Sequence, residues 1–396
     1  MATRPAPPLP EPSPLARVYL DHASTTPARP EAVAALTRWA ALPPGDPGRL
    51  HEEGRMVRDA LEEARAAVAE LLGTLPRQIV FTSGATEAIN AAVWGACRAL
   101  PGGPVLCAAV EHSAVRDASA RAAPVETLPV DGAGRLDVDA LRARLEATDL
   151  PRPALVHCQW ANHEVGTLQP VHQVVALCRE AGVTVHVDAA AASGHVPTDL
   201  GALDADLVSV SAHKLGGAPG AGALVVRRGS RFEPLLVGGA QERGRRGGLE
   251  PVPALLAFGA AAAALAADGG RAIEEEAAVA RWHVAAIVLG AIAVDGVEVV
   301  GAADPEGRLP HLICLGVHGV EAEPVLIGLD RAGIAVHSGS ACSSEAIEPS
   351  PVLEAMGVDP SHSLRISVGW TTTDEDGAAF VDAFARVVSD LRALRG

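Results

Sequence analysis

Lysine is almost absent from this chain of 396 residues, which has 31 arginines and a single lysine, Lys214. Alanine, glycine, proline and arginine are abundant, as expected for GC-rich coding DNA, under which lysine drifts to arginine wherever positive charge alone is needed. The guanidinium of arginine stays protonated and cannot act as an amine nucleophile. The surviving lysine therefore predicts a position that needs an amine, with chance survival as the alternative.

Features that define other protein classes are also missing. The six cysteines form no CxxC pair, which argues against a zinc ribbon or a disulfide framework, and no metal site is predicted. Residues 1–14 hold six prolines and no apolar core of a signal peptide. The longest uncharged apolar run, 251–267, is shorter than the roughly 18 residues of a membrane span and predicts a buried helix. We therefore expect a cytoplasmic protein that uses no membrane.

Positive charge is scarce overall. The chain has 32 basic and 48 acidic residues, a formal net charge of −16, and such a surface repels phosphate backbones, which argues against nucleic acid as a direct ligand. Hydrophobic residues make up 48% of the chain and the mean hydropathy is +0.21, so a large core is available and disorder is excluded. The length predicts two or three structural units.

The order of elements predicts an α/β fold. Short apolar segments at 154–160, 183–188, 207–211 and 222–226 are typical of strands, and helical segments such as 171–181 separate them. Apolar strands between helices indicate a parallel sheet covered on both faces.

The pattern changes near Asp268-Gly-Gly270, which predicts a domain boundary. A long helix is expected at 273–290, and the last helix is expected to open with a capping box at 372–375. We predict three parts, namely a flexible proline-rich N-terminus (1–17), a large domain (18–267) and a small α+β domain (268–396).

Lys214 lies directly after an apolar strand, in Ser211-Ala-His-Lys214. The carboxyl ends of strands form the ligand edge of open α/β sheets, and an amine there can form a Schiff base with an aldehyde cofactor or a carbonyl substrate. Another strand ends at Asp188, which places a carboxylate at the same edge. Pyridoxal 5'-phosphate (PLP) needs this pair, an amine for its aldehyde and a carboxylate for its pyridinium nitrogen. Taken alone, the pair also fits many surface loops.

A third feature is the run Phe81-Thr-Ser-Gly-Ala-Thr86, in which a strand meets a helix through a turn of small residues. Free backbone N–H groups at such a helix N-terminus predict an anion site, to which Thr86 adds a hydroxyl. A glycine turn with a threonine cap is the alternative. His112 follows the next strand and its ring would cover a flat cofactor, unless it is an ordinary loop histidine.

Two residues of the C-terminal part complete the set. Cys342 lies in a run of small and polar residues, 337–344, where an exposed thiol can act as a nucleophile through its thiolate. The alternative is an incidental surface thiol. Arg365 leads a predicted strand and is a suitable bidentate anchor for a substrate carboxylate, with a salt-bridged surface arginine as the alternative.

With these residues together, the chain resembles the NifS/IscS-type cysteine desulfurases, in the class V aminotransferase branch of the fold-type I PLP-dependent enzymes. The resemblance runs from Tyr19 to the last helix and rests on the order and spacing of short motifs. These are Tyr19-Leu-Asp-His-Ala-Ser-Thr-Thr-Pro27, His51 with Gly54-Arg55, Phe81 to Asn90, Glu111-His112, Asn162-His-Glu-Val-Gly-Thr167, His186-Val-Asp188, Ser211-Ala-His-Lys214, Gln241-Glu-Arg-Gly244, Ser338-Gly-Ser-Ala-Cys342 and Arg365. It implies an α/β large domain with a mostly parallel seven-stranded sheet between helices, a small α+β domain, and a homodimer.

The resemblance implies PLP as cofactor and a role for each residue near it. Lys214 binds PLP covalently, Asp188 pairs with the pyridinium nitrogen, and His112 stacks on the ring and handles protons. The phosphate is held by the side chains of Thr86, Ser211 and His213 and by the backbone of Ala85.

The resemblance also implies L-cysteine as substrate, bound by Arg365 and Asn162. Cys342 attacks the substrate sulfur, releases alanine and keeps a persulfide for a sulfur-acceptor protein. The acceptor stays open between an iron–sulfur scaffold and an enzyme that thiolates tRNA, DNA or a metabolite. The segment 238–248, with its arginines, is expected to approach the active site of the partner subunit.

Three positions depart from the family pattern. His163 replaces a second asparagine, Ala191 replaces a glutamine that bonds the cofactor oxygen, and Leu249 replaces a threonine that reaches the partner's phosphate. We predict that His163 partly restores the missing bond. The departures keep two alternatives open. One is selenocysteine lyase or another class V reaction, and the other is a degenerate PLP-binding partner subunit.

Overall fold

The computed structural model describes residues 17–42, 45–338 and 349–394. Cys342 and the predicted N-terminal arm, apart from Arg17, lie outside the described residues. The helices are α1 (Pro30–Ala40), α2 (Glu52–Leu71), α3 (Ala85–Ala99), α4 (Ser113–Ala122), α5 (Val138–Glu146), α6 (Val171–Glu180), α7 (Leu200–Leu203), α8 (Val252–Ala291), α9 (Ala322–Arg331), α10 (Pro351–Ala355) and α11 (Asp374–Ala393). The strands are β1 (Val18–Tyr19), β2 (Ile79–Thr82), β3 (Val105–Ala108), β4 (Val125–Leu128), β5 (Leu155–Gln159), β6 (Val185–Asp188), β7 (Leu207–Ser211), β8 (Gly222–Val226), β9 (Val297–Val300), β10 (Leu312–Val317), β11 (Ile334–Ala335) and β12 (Ser363–Ser367).

A seven-stranded sheet forms the centre of the large unit, in the order β2-β8-β7-β6-β5-β3-β4. Strands β3 to β7 pair in parallel, and β8 runs antiparallel to its neighbours β7 and β2. Strands β5 to β8 are buried along their whole length, because helices cover both faces of the sheet. The predicted α/β fold with a mostly parallel seven-stranded sheet is confirmed.

A second, smaller core surrounds the antiparallel sheet β12-β10-β9. Phe380 and Phe384 of α11 are fully buried in it, with ring centroids 5.5 Å apart. Strand β1 pairs in parallel with β11, and Leu20 packs in the same core. The first described residues of the chain therefore pack in the smaller core, and the strands of the large sheet come later in the sequence. The domain limits 18–267 and 268–396 stay a prediction.

Helix α8 links the two cores. Its backbone leaves helical geometry at the expected breaker, where Asp268, Gly269 and Gly270 have φ of 51°, 72° and 85°, a range that glycine adopts readily. The sequence predicted a separate helix at 273–290, and this is confirmed, because the non-helical backbone at 267–270 divides the span Val252–Ala291 into two helices. By length and composition α8 resembles a membrane span, but half of its most apolar window is buried inside the protein, as in a core helix.

The predicted capping box is wrong by one residue. Thr373 caps α11, because its Oγ1 accepts from Asp376 N at 3.2 Å and its own N–H donates to Asp376 Oδ2 at 2.9 Å. The predicted box paired Thr372 with Glu375, and the observed box is the overlapping pair one residue later. Thr372 Oγ1 instead accepts from Gly369 N at 2.9 Å, so the turn before the helix uses it.

Two histidines are buried in the sheet itself. His157 of β5 and His186 of β6 are opposite each other, both fully buried, with their Nδ1 atoms 2.8 Å apart. Burial, and then the neighbouring His186, lowers the pKa of His157 well below 6.5, and burial lowers the pKa of His186 to about 4. Among the described residues neither Nε2 has a hydrogen-bond partner. The pair is therefore held neutral by the fold.

We expect this pair to make the fold sensitive to acid. Both pKa values are lowered in the folded state, so below about pH 6.5 the unfolded chain binds protons that the folded one excludes. The free energy of unfolding should fall as the pH falls toward 4, by up to about 1.4 kcal/mol per pH unit for each histidine. The double variant His157→Leu/His186→Leu should show a shallower fall in urea unfolding between pH 7 and 5. An unchanged slope would contradict this expectation.

Candidate active site

The carboxyl edge of the large sheet brings the predicted cofactor residues together. Asp188 ends β6 and Ser211 ends β7, with Lys214 in the short 3₁₀ turn that follows. Asp188 Oδ1 accepts from Ser209 Oγ at 2.9 Å and from Ala190 N at 3.1 Å. These bonds fix the carboxylate and leave Oδ2 for a ligand. Parallel pairing of β6 with β7 produces this arrangement, because it ends both strands at one edge.

His112 lies above the same edge as the N-cap of α4. Its Nδ1 accepts from Ala114 N at 3.0 Å, so the neutral ring carries its proton on Nε2. The ring meets His163 edge to face, with centroids 4.8 Å apart. Burial, and then His163, lowers the pKa of His112 to about 4, and Asp188 and Lys214 are further charged neighbours. The structure thus brings His112, Asp188 and Lys214 into one electrostatic environment.

The predicted anion site lies where β2 passes into α3. Helix α3 has 15 residues and begins at Ala85, so its first N–H groups have no partner within the helix and can bind an anion. A Cβ on Gly222 would lie 2.6 Å from Gly84 Cα, whereas a Cβ on Gly84 would meet nothing within 4 Å. The turn therefore packs directly on β8 and leaves open space on its other side. Thr86 is exposed beside it.

The side chains of Ser211 and His213 bond to each other at the same edge, with Oγ 2.9 Å from Nδ1. Burial, and after it the charge of Lys214, lowers the pKa of His213. A neutral hydroxyl–imidazole pair suits a phosphate oxygen.

The two predicted substrate-binding residues are already engaged. Asn162 is fully buried, and its Oδ1 accepts from Glu164 N at 2.8 Å and Val165 N at 2.9 Å. It builds the turn that carries His163. Arg365 donates to His163 O at 3.0 Å and to Asp21 Oδ1 at 2.9 Å. Its buried Nε has no partner among the described residues, so Arg365 keeps one donor unused.

Two of the positions that depart from the family pattern, Ala191 and Leu249, differ in their burial. Ala191 is half-buried against the large core, and Leu249 is 64% exposed. The nearby segment 238–248 is held by a buried ion pair, in which Nη1 and Nη2 of Arg65 donate to the carboxylate of Glu242 at 2.6 and 2.7 Å. Arg246 of the same segment pairs with Glu87 of α3 at 3.0 Å.

The cysteine loop is described only at its borders, since Cys342 lies outside the described residues. The other five cysteines are free, and four of them are buried. Burial is the main cause that raises the pKa of Cys107, Cys178 and Cys314 to about 12. These thiols are therefore poor nucleophiles, as expected of cysteines packed in a core.

Several buried polar residues around the site were not predicted from the sequence. Glu111 is buried, its Oε1 accepts from Gln159 N at 2.7 Å, and burial, then the charge of Asp188, raises its pKa to about 8. His195 and His311 stack with centroids 3.7 Å apart. Glu111 adjoins His112 in a family motif, which is the one signal that could have found it. The two histidines are far apart in sequence, so no local pattern points to them.

These residues fit PLP. An amine, a carboxylate held through one of its oxygens, and a helix N-terminus facing open space are the groups that an aldehyde, a pyridinium nitrogen and a phosphate require. Their position at the carboxyl edge of a mostly parallel sheet defines a PLP-binding enzyme of fold-type I.

Comparison with known proteins gives the family. The model of the aminotransferase class-V family matches residues 18–380, and the chain belongs to that family. It is 40% identical over 394 residues to a cysteine desulfurase of Cereibacter sphaeroides, covering 96% of this chain and 97% of the relative. It is 39% identical over 391 residues to an IscS-like cysteine desulfurase of Mycobacterium tuberculosis, covering 94% and 97%. The structure of a NifS-like protein from Rickettsia africae superposes with a TM-score of 0.85 at 28% identity, covering 94% and 100%.

The sole lysine allows a direct test of the cofactor site. Borohydride should link PLP covalently to the wild-type protein, and Lys214→Ala should abolish the link because no other lysine exists. Lys214→Arg should fail as well, since a guanidinium is not a nucleophile at neutral pH. Intact-mass spectrometry measures the link. A Lys214→Ala protein that still carries reduced PLP would refute the assignment.

Proposed function

We propose that the chain is a PLP-dependent cysteine desulfurase that converts L-cysteine to L-alanine and keeps the sulfur as a persulfide on Cys342. The observation that carries this proposal is the convergence of Lys214, Asp188 and His112 at one sheet edge. Relatives named cysteine desulfurase align over nearly the whole chain and support this function.

The sulfur transfer is balanced in atoms and electrons. The thiolate of Cys342 attacks the substrate sulfur, so an S–S bond forms while the Cβ–S bond breaks. The electron pair of the broken bond stays with the carbon skeleton, which takes up protons and leaves as alanine. An acceptor thiol then removes the outer sulfur from Cys342. PLP, when bound, supplies the electron sink for this cleavage.

The protein's own residues orient the reactants and move protons. Lys214 provides the amine, and Asp188 Oδ2 is the oxygen left to keep the pyridinium protonated. His112 carries its proton on Nε2, because Nδ1 is used by the α4 cap. That atom is the proton donor on the substrate side. Arg365 binds the substrate carboxylate by exchanging its contact with Asp21.

The phosphate is assigned to the N–H groups of Ala85 and Thr86, the Thr86 hydroxyl and the Ser211–His213 pair. Asn162 acts by building the turn that presents His163 and its carbonyl to Arg365. Asn162 was predicted to bind the substrate. We assign it mainly an indirect role, in which it shapes the turn next to the substrate-binding Arg365.

A homodimer and a cytoplasmic location belong to this proposal. Apolar side chains are exposed on and beside the segment 238–248, with Val237 at 78%, Leu236 at 41% and Leu249 at 64%. Exposed apolar residues around a segment that is itself pinned by a buried ion pair suit a subunit interface. The acceptor is a thiol-bearing protein, either a scaffold for iron–sulfur assembly or a thiolation enzyme.

Removing the nucleophile should separate cofactor chemistry from sulfur transfer. Cys342→Ser should retain PLP and still change its absorbance when cysteine is added, because Lys214 and Arg365 remain. Sulfide and persulfide should disappear, since a hydroxyl cannot carry a persulfide. In wild type, brief treatment with cysteine should add one sulfur, about 32 mass units, to the peptide containing Cys342.

The buried cysteines Cys107, Cys178 and Cys314 serve as internal controls, and their peptides should stay unmodified. Full sulfide production by Cys342→Ser would reject the desulfurase mechanism. Loss of cysteine activity with retained selenocysteine activity would favour a selenocysteine lyase, and absence of PLP chemistry in wild type would favour a degenerate partner subunit.

His163 is proposed to supply part of the cofactor bond that an alanine at position 191 cannot make. Its ring packs on His112 and its side chain is 12% exposed. His163→Ala should weaken PLP binding or raise the KM for cysteine several-fold, by about the 0.5–1.5 kcal/mol of one hydrogen bond. His163→Phe keeps the edge-to-face packing and is the matched control for packing alone. Ala191→Gln should be tolerated or beneficial, and unchanged kinetics in His163→Ala would remove the proposal.

A further inference from the structure

The turn that carries Lys214 is fixed through four consecutive backbone carbonyls. His213 O accepts from Thr26 N at 3.2 Å, and Lys214 O bonds His195 Nε2 at 2.9 Å. Leu215 O accepts from Arg29 Nε at 3.1 Å, and Gly216 O accepts from Arg29 N at 2.8 Å. The donors come from two other parts of the chain, so the position of the lysine depends on them.

Arg29 supplies two of these four bonds from one residue. It precedes Pro30, which disfavours helical backbone in the residue before it, and Arg29 accordingly has extended geometry as the N-cap of α1. Its backbone and its Nε therefore reach successive carbonyls of the lysine turn at once. Arg29 is 9% exposed.

The rest of the Arg29 guanidinium is committed to the C-terminal half of α8. Nη1 and Nη2 donate to Glu276 Oε1 and Oε2 at 2.7 and 2.6 Å, a bidentate pair whose geometry is specific to arginine. The ring of Trp370 lies 5.8 Å from the guanidinium carbon. Glu276 follows the break in α8, so this pair ties the lysine turn to the helix that belongs to the second core.

Gly216 allows this arrangement. It has φ of 87°, and a Cβ there would lie 2.5 Å from Arg29 Cγ and 3.1 Å from Arg29 Nε. A side chain at 216 would push Arg29 off the turn. The close approach is a second observation that the turn and Arg29 are fitted to each other.

We propose that Arg29 is a positioning residue for Lys214, which holds the lysine turn at Leu215 and Gly216 while Glu276 anchors it to α8. The role of the turn in cofactor capture rests on the proposed function. The positioning itself concerns the polypeptide alone and is measurable in protein without PLP.

The test is hydrogen exchange in PLP-free protein, read at Leu215 N and Gly217 N. Both donate to Ala212 O, at 3.1 and 2.9 Å, and close the turn. Arg29→Met should raise their exchange rates about tenfold, the scale of one lost hydrogen bond. Gly216→Ala should act in the same direction without removing a charge, because a side chain there displaces Arg29 and also strains the backbone at φ of 87°. Glu276→Gln should give a smaller rise, because it keeps the shape of the anchor.

Arg271→Met is the matched control. Arg271 pairs with Glu275 one residue before Glu276, but both side chains are exposed, at 73% and 62%. This variant removes an arginine–glutamate pair from the same helix and should leave the turn unchanged. Thermal unfolding identifies an Arg29→Met protein that fails to fold, in which case Glu276→Gln decides.

A second readout uses PLP itself. Arg29→Met should raise the PLP concentration for half-maximal borohydride capture about tenfold, while Arg29→Lys should restore less than half of the loss, since an ammonium cannot form the same fork. Exchange and capture within twofold of wild type in Arg29→Met, or an equal effect of Arg271→Met, would overturn the proposal. Wild-type protein that captures no PLP but shows the predicted exchange pattern would instead refute the proposed function and leave the positioning intact.

Discussion

The site depends on the parallel direction and the register of the strands in the central sheet. Parallel pairing of β5, β6 and β7 puts Gln159 beside Asp188 and Asp188 beside Ser209 in register. A shift of one residue in this register would turn Asp188 to the opposite face of the sheet. The apolar residues that alternate with these polar ones, such as Val187 and Val208, are fully or almost fully buried. The same packing that stabilises the sheet therefore aims the carboxylate.

Ionised groups at the edge of such a buried sheet are destabilised by burial. Ionised groups there lose hydration, and the structure responds by keeping several of them neutral. Burial lowers the pKa of His22, His112 and His195 to about 4, and it is the largest cause of the raised pKa of Glu111, about 8. Neutral imidazoles near Lys214 add little positive charge beside the amine. This environment suits an amine that must act as a nucleophile.

The sequence predicted those parts of the molecule that local pattern determines. Strands such as 207–211 and 222–226 were located by their mostly apolar character, and Asp188 and Lys214 by their place at strand ends. The Thr373 cap was missed because two overlapping matches compete, and tertiary contacts at Thr372 decide between them. The pairing of His157 with His186 and of Arg29 with Glu276 depends on strand register and helix packing, which one sequence does not encode locally. For Arg365 and Cys342 the local sequence suggested a role but left an ordinary surface residue as the alternative, and the resemblance decided between the two.

The scarcity of lysine has a structural consequence. Two contacts that fix distant segments of this chain to each other use a guanidinium fork, Arg65 with Glu242 and Arg29 with Glu276. A fork makes two directed bonds to one carboxylate and still has Nε free for a third, as Arg29 shows at Leu215. An ammonium has no such fixed geometry. Arginine thus supplies the rigid contacts between segments, and no other lysine side chain competes with Lys214 for an aldehyde.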